Sequence, residues 1–341
     1  MRGSRVRVGL VAAVLLLVLW PGDGAGQSKG AAPPKDPVRL QLKWLAQAQF
    51  AGYYAARAMG FYEAESLDVA IQPGGPDLAS EKVVADGGAE LGIDWLPSLL
   101  AARDQGLPLV NIAQVFAHSG MRMIALKASR ITGVKDFRGR RVGVWLGGNE
   151  FELFATLAKH GLDRERDLTL VPQPFDMGQF LRKEVDATAA MTYNEYKQVL
   201  DAGVTPADLV VIDFNREGTA MLEDGVFVRE DWLREAKNRQ IAARFLRASL
   251  RGWAACRRAP ADCVEIVVRE NPSLDRAHQT WMMAEVIKLI WGPPAPRGPI
   301  GRMDAAAFAR TAGIALQFGV IQKAADASAY THVIWELARK R

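Results

Sequence analysis

Apolar and polar residues alternate along Val38-Arg39-Leu40-Gln41-Leu42-Lys43-Trp44, the period-two pattern of a half-buried strand. A helix follows, because Phe50, Tyr53, Tyr54, Arg57 and Ala58 recur at intervals of three and four before Gly60. Leu67 to Ile71 supplies the next strand, and Pro73-Gly74-Gly75-Pro76-Asp77 a tight turn with Asp77 in the first turn of a helix reaching Asp86. A strand at Leu91 to Asp94, a helix from Pro97 to Arg103 and a strand from Pro108 to Val115 continue the alternation. Strand and helix at this spacing predict βαβ units in a mostly parallel sheet.

The pattern then restarts. Met121 to Leu126 leads into a second series with strands at Arg141 to Trp145, Leu168 to Val171, Val185 to Ala190 and Leu209 to Ile212. Between them lie helices at Asn149 to His160, Asp176 to Arg182 and Asn194 to Leu200. Gly225 to Val228 reads as a strand returning to the first unit, and from Glu230 onward the pattern is almost wholly helical. The expected α/β organisation is a first lobe over 37–126, a second over 127–224, and a section over 225–341 that completes the first.

Residues 1–26 stand apart. Arg2, Arg5 and Arg7 precede a 13-residue apolar run from Val8 to Trp20, then Pro21 and the small residues Gly24-Ala25-Gly26. The run is short of the ~20 residues a membrane-spanning helix needs, so a cleaved secretory signal is expected, followed by a linker over 27–36. Losing three Arg and one Asp with it lowers the net charge from +5 to +3, too weak a bias to argue for nucleic acid. Cys256 and Cys263 are the only cysteines, too few ligands for a zinc site. Export permits oxidation, and a turn at Arg258 to Asp262 could bring the pair within bridging distance; two free buried thiols are the alternative.

Sequence signatures of chemistry are scarce. There is no phosphate loop ending in Gly-Lys-Ser or Gly-Lys-Thr, no Gly-x-Ser-x-Gly turn and no His-Glu-x-x-His helix. The four histidines are far apart in sequence, and no catalytic residue, metal ligand or cofactor is expected. Aromatic and amide side chains gather instead where strands end, the edge at which open parallel sheets bind ligands. One cluster holds Trp44, Gln47, Gln49, Tyr53 and Tyr54, with Gly52 permitting close approach of a ligand or a neighbouring backbone. Asp94-Trp95 forms a second. Trp145-Leu146-Gly147-Gly148-Asn149-Glu150 forms a third, its glycines preceding a helix whose free N–H groups can receive an anion or a carbonyl oxygen. Tyr193-Asn194-Glu195 forms the fourth. Each aromatic could instead be core, and each glycine merely a turn.

The run Lys43-Trp44-Leu45-Ala46-Gln47-Ala48-Gln49-Phe50-Ala51-Gly52-Tyr53-Tyr54-Ala55-Ala56, with Gly60-Phe61-Tyr62, Leu67-Asp68-Val69 and Pro73 to Asp77, resembles the substrate-binding proteins of ABC importers. The relevant group includes sulfonate-binding proteins and the thiamine-pyrimidine synthase. Gly148 to Phe154, Phe175-Asp176-Met177 and Ala190 to Tyr196 resemble the branch that binds riboflavin or thiamine-pyrimidine precursors. The resemblance implies a two-lobed, type II-like periplasmic binding fold. It also implies a monomer that holds a small heteroaromatic ligand between its lobes and delivers it to a membrane permease and its ATPase.

One departure bears on activity. The synthase carries a cysteine cluster near the return crossover and a histidine soon after the first-strand tryptophan. This chain has Arg216 to Asp224 without cysteine, and Phe50 at the histidine's place. Binding without chemistry is therefore expected. A planar ring can stack on Trp44, Tyr53 or Trp95 while Gln47, Asn149, Asn194 and Glu195 match its nitrogens and carbonyls. Trp44 is the expected main platform. A taurine-like sulfonate would call instead for arginine, serine and helix N-termini, and remains the second expectation.

Overall fold

The computed structural model of the protein describes residues 34–293 and 295–340, so the signal peptide expected at 1–26 and most of the linker at 27–36 lie outside the described residues. Ten strands form two sheets. The strands are β1 (Asp36–Gln41), β2 (Leu67–Gln72), β3 (Leu91–Asp94), β4 (Leu109–Gln114), β5 (Met121–Leu126), β6 (Arg141–Val144), β7 (Thr169–Pro172), β8 (Ala187–Met191), β9 (Leu209–Asp213) and β10 (Gly225–Arg229). The first sheet runs β2-β1-β3-β10-β4 and the second β7-β6-β8-β5-β9. All six residues of β4 and all five of β8 are buried, as in sheets covered on both faces.

β1 is parallel to β2 and β3, and β6 to β7 and β8. The parallel pattern breaks once in each sheet, where β10 is antiparallel to β3 and β4, and β5 to β8 and β9. Both exceptions have the same origin. The chain leaves each sheet at the carboxyl ends of its parallel strands, crosses to the other sheet and enters at the facing edge, so the arriving strand must run away from the gap. The first crossover spans 115–120 and the second 214–224. Because β5 lies between β8 and β9, the expected boundary after Leu126 moves back into the first crossover.

The helical section packs on the first sheet. Its longest helix, Ala236–Arg258, crosses the helix Ala51–Ala58 at paired glycines. A Cβ on Gly252 would come within 2.0 Å of the Gly52 carbonyl oxygen, and one on Gly52 within 2.2 Å of the Trp253 ring. The close approach expected at Gly52 is thus to a neighbouring helix. Ala259 breaks that long helix, Pro260 opens the next, and Cys256 and Cys263 are disulfide-bonded across the break with Cα atoms 5.4 Å apart. Asp77 precedes the helix it was expected to open, which begins at Ser80.

Candidate functional site

The two sheets face each other across a cleft at the ends of β1, β3, β6 and β8. After Gln41 the chain leaves the ladder, and Leu42, Lys43 and Trp44 are all buried instead of alternating. The expected strand through Trp44 therefore ends three residues early. Trp44 and Lys43 line the cleft, as do Gln47, Gln49 and Trp95 from the first lobe and Trp145, Asn149, Met191, Tyr193, Asn194 and Glu195 from the second. The enclosed free space is about 20 Å³, little more than one water requires.

Three indoles wall this space. Trp44 and Trp145 meet edge to face across the lobes, with ring centroids 5.7 Å apart at 73°. Trp95 lies under the Lys43 ammonium, 4.2 Å from its ring centroid. Lys43 Nζ donates to Asp94 Oδ1 at 2.8 Å and to Asn149 Oδ1 on the opposite lobe. Asp94 is held in turn by Ser80 Oγ at 2.9 Å and by the Trp95 N–H at 2.6 Å. Beneath the indoles, Asp224 accepts from Trp95 Nε1 at 3.0 Å and Gln49 Nε2 at 2.9 Å, and Gln47 Nε2 donates to Gln49 Oε1 at 2.8 Å.

On the second lobe, Asn194 Nδ2 donates to Glu195 Oε1 at 2.6 Å, and the Met191 N–H to Glu195 Oε2 at 3.0 Å. Burial pushes the Glu195 carboxyl up to about 7 against those two bonds. Burial likewise pushes Asp224 up to about 6, opposed by the nearby Lys43 charge and the Gln49 bond. Glu81 is raised well above the usual carboxylate range, by burial first and the Asp94 charge second. The cleft is therefore rich in acceptors along its lining, with one buried carboxyl group, Glu195, and a second, Asp224, beneath the indoles. Its lining has one cation, already neutralised by Asp94.

Of the residues expected at the site, the structure brings Trp44, Gln47, Gln49, Trp95, Asn149, Tyr193, Asn194 and Glu195 to one cleft. Others fall elsewhere. Tyr53 is a core residue, stacked on Phe245 at 6.4 Å and edge-on to Trp253 at 5.7 Å, because it faces the long helix. Tyr54 is buried beside Arg57, one helical position further round. Asp94 sits behind Lys43 as its counter-ion. Gly147 and Gly148 donate their N–H groups to Glu150 Oε2 at 3.1 and 2.7 Å, so the loop ahead of the helix Phe151–Lys159 is closed on the chain's own carboxylate. Sequence reasoning missed Lys43 and Met191, and placed Trp145 at the head of a strand-end cluster without assigning it a ligand contact. A lysine at an apolar strand end beside tryptophan was the available signal for the first; nothing in the sequence separates Trp145 from a core tryptophan.

The NMT1/THI5 like family profile matches residues 47–263. The riboflavin-binding protein RibY of Chloroflexus aurantiacus is 24% identical over 89% of this chain and 86% of its own length. The formylaminopyrimidine-binding protein of Halalkalibacterium halodurans is 22% identical over 87% and 89%. A 4-amino-5-hydroxymethyl-2-methylpyrimidine phosphate synthase of Legionella pneumophila is 25% identical over 70% and 75%. Among solved structures, the periplasmic aliphatic sulphonate binding protein SsuA of Escherichia coli superposes with a TM-score of 0.59 at 17% identity, over 85% of this chain and 90% of that one. The fold is thus that of the periplasmic binding proteins.

Proposed function

Because the chain belongs to the NMT1/THI5-like family and folds as a periplasmic binding protein, we propose that it is an extracytoplasmic solute-binding protein of an ABC importer. Its ligand is a vitamin-like heteroaromatic compound, a flavin or a thiamine-type pyrimidine, handed to a membrane permease. The observation that carries this reading is the cleft lining: three indoles, amides from both lobes, a buried carboxyl group and no arginine. Rings gain from stacking between aromatic walls, and their N–H and ring-nitrogen edges require matched partners, which Asn149, Asn194 and Glu195 can supply by exchanging their bonds to Lys43, His278 and each other. Relatives named for riboflavin and for formylaminopyrimidine support the same chemistry.

A sulfonate fits this cleft less well, since its single lysine is paired and Glu150 occupies the Gly147 and Gly148 N–H groups. The synthase reading has support in the relatives of that name. Against it stand the buried Phe50 and a crossover without cysteine.

Thermal unfolding of the purified protein with riboflavin, thiamine, aminopyrimidine precursors and taurine tests the proposal. A ligand at a hundred times its Kd adds about 2.7 kcal/mol of stability, so a heteroaromatic compound should raise the melting temperature and taurine should not. Stabilisation by taurine alone would reverse the assignment.

A further inference from the structure

A second, larger cavity lies away from the cleft, behind the crossovers. It encloses about 480 Å³ and is walled by both connections between the lobes, by the end of the helix Arg276–Trp291 and by the start of the helix Ala305–Gln317. This is the size range of small-molecule sites, roughly 300–1,000 Å³. The wall has two chemical characters. Val115, Leu222, Ile290 and Ile300 make one part apolar. Arg297, Arg302 and Arg310 line the other.

The charge is unbalanced. Some arginines elsewhere are answered by carboxylates, as Arg244 by Asp36 and Arg247 by Glu65, both at 2.5 Å, whereas here three share one cavity without such a partner. Among the described residues no carboxylate oxygen lies within 4.0 Å of the three cavity arginines. Asp304, the cavity's one carboxylate, is occupied in capping its helix, accepting from the Ala306 and Ala307 N–H groups at 2.7 and 3.1 Å. His118 Nε2 faces the Gly292 carbonyl oxygen at 3.2 Å. Guanidinium groups bind carboxylate and phosphate oxygens in pairs, and three of them converge on one concave surface.

We propose that this cavity is a second ligand site, for a small organic anion with an apolar body and a phosphate or carboxylate head. The arginines take the head and the aliphatic wall takes the body. Because both crossovers form the wall, a ligand here touches the two segments that bend when the lobes move.

Calorimetry with phenyl phosphate, phenylacetate, benzyl alcohol and inorganic phosphate provides the test. The expected result is saturable one-to-one binding of a phenyl anion, no binding of benzyl alcohol, and inorganic phosphate at least tenfold weaker. The relative strength of phenyl phosphate and phenylacetate identifies the head group. Arg302→Ala/Arg310→Ala should weaken binding at least tenfold with the apo melting temperature kept, since both side chains are exposed. Should that variant fail to fold, Arg297→Gln and a salt titration read the same contact, each expected to weaken binding. Trp44→Ala, in the cleft, should leave it unchanged, so failure here is distinguishable from failure of the cleft reading. Absence of saturable binding, equal affinity in the arginine variants, or phosphate binding as tightly as phenyl phosphate would overturn the proposal.

Discussion

Trp44 carries the sharpest question at the level of a single side chain. It is 7% exposed, which by itself describes a core tryptophan as well as a stacking platform. Its surroundings separate the two. The edge-to-face partner, Trp145, belongs to the other lobe, and Trp44 lines the interlobe space, so part of its burial exists only while the lobes are together. A ring ligand would take over that contact. Trp44→Ala is therefore expected to lose about 1–3 kcal/mol of binding, by analogy with bases stacked on aromatic side chains, or roughly 5- to 140-fold in Kd. The apo melting temperature should change little, whereas truncating a packed core tryptophan costs about 3–5 kcal/mol. Unchanged affinity in a strongly destabilised variant would return Trp44 to the core.

At the level of elements, the two crossovers are stitched together by two buried glutamates. Glu152, on the second-lobe helix Phe151–Lys159, accepts from Ser119 Oγ at 2.9 Å and from the Met221 N–H, one group on each crossover. Glu223, on the second crossover, accepts from the Gly120 and Met121 N–H groups at 2.7 and 3.1 Å. Arg122, ion-paired with Asp213 at 3.3 Å, and Asp224 complete the charged surroundings. Burial pushes Glu152 up to about 8, and burial with the Glu152 charge raises Glu223 well above its usual range. Groups raised in the folded state bind protons more tightly there than in the unfolded chain, so their contribution is complete below about pH 4.5 and lost as pH rises towards 8. Glu195 and Asp224 act in the same direction. The melting temperature should thus fall between about pH 5 and 8, and Glu152→Gln should flatten that decline; an unchanged slope would mean that Glu152 is ionised throughout. None of this was legible beforehand. The alternation of strands and helices was, because each element's periodicity is local, and all ten strands appear near their expected positions. The direction of β5 and β10, the partner of Gly52 and the self-occupied Gly147-Gly148 loop depend on which distant segment arrives, and no local pattern encodes that.

For the molecule as a whole, a cleft with about 20 Å³ of free space cannot admit a heteroaromatic ring, so binding requires the lobes to separate and close again about the crossovers. What holds them together is visible on both sides of the cleft. Lys43 reaches Asn149, Ser98 Oγ donates to the Gly148 carbonyl oxygen at 2.6 Å, and Trp281 Nε1 to the Thr192 carbonyl oxygen at 3.0 Å. His278 adds a further tie. Because Asn194 Nδ2 is committed to Glu195, Asn194 Oδ1 faces His278 Nε2 at 2.7 Å and accepts from it, joining a first-lobe helix to the second-lobe site. Truncating the imidazole removes that bond and frees Asn194 Oδ1 while leaving every cleft-lining side chain in place, and shifts the ligand-free population towards the open form. In solution scattering, a saturating ligand should reduce the radius of gyration of the wild-type protein. His278→Ala should start from a larger ligand-free radius and bind more weakly, because part of the binding energy is then spent on closure. Identical scattering curves with and without a saturating ligand would exclude lobe motion, and a His278→Ala protein with wild-type ligand-free scattering would exclude the tie.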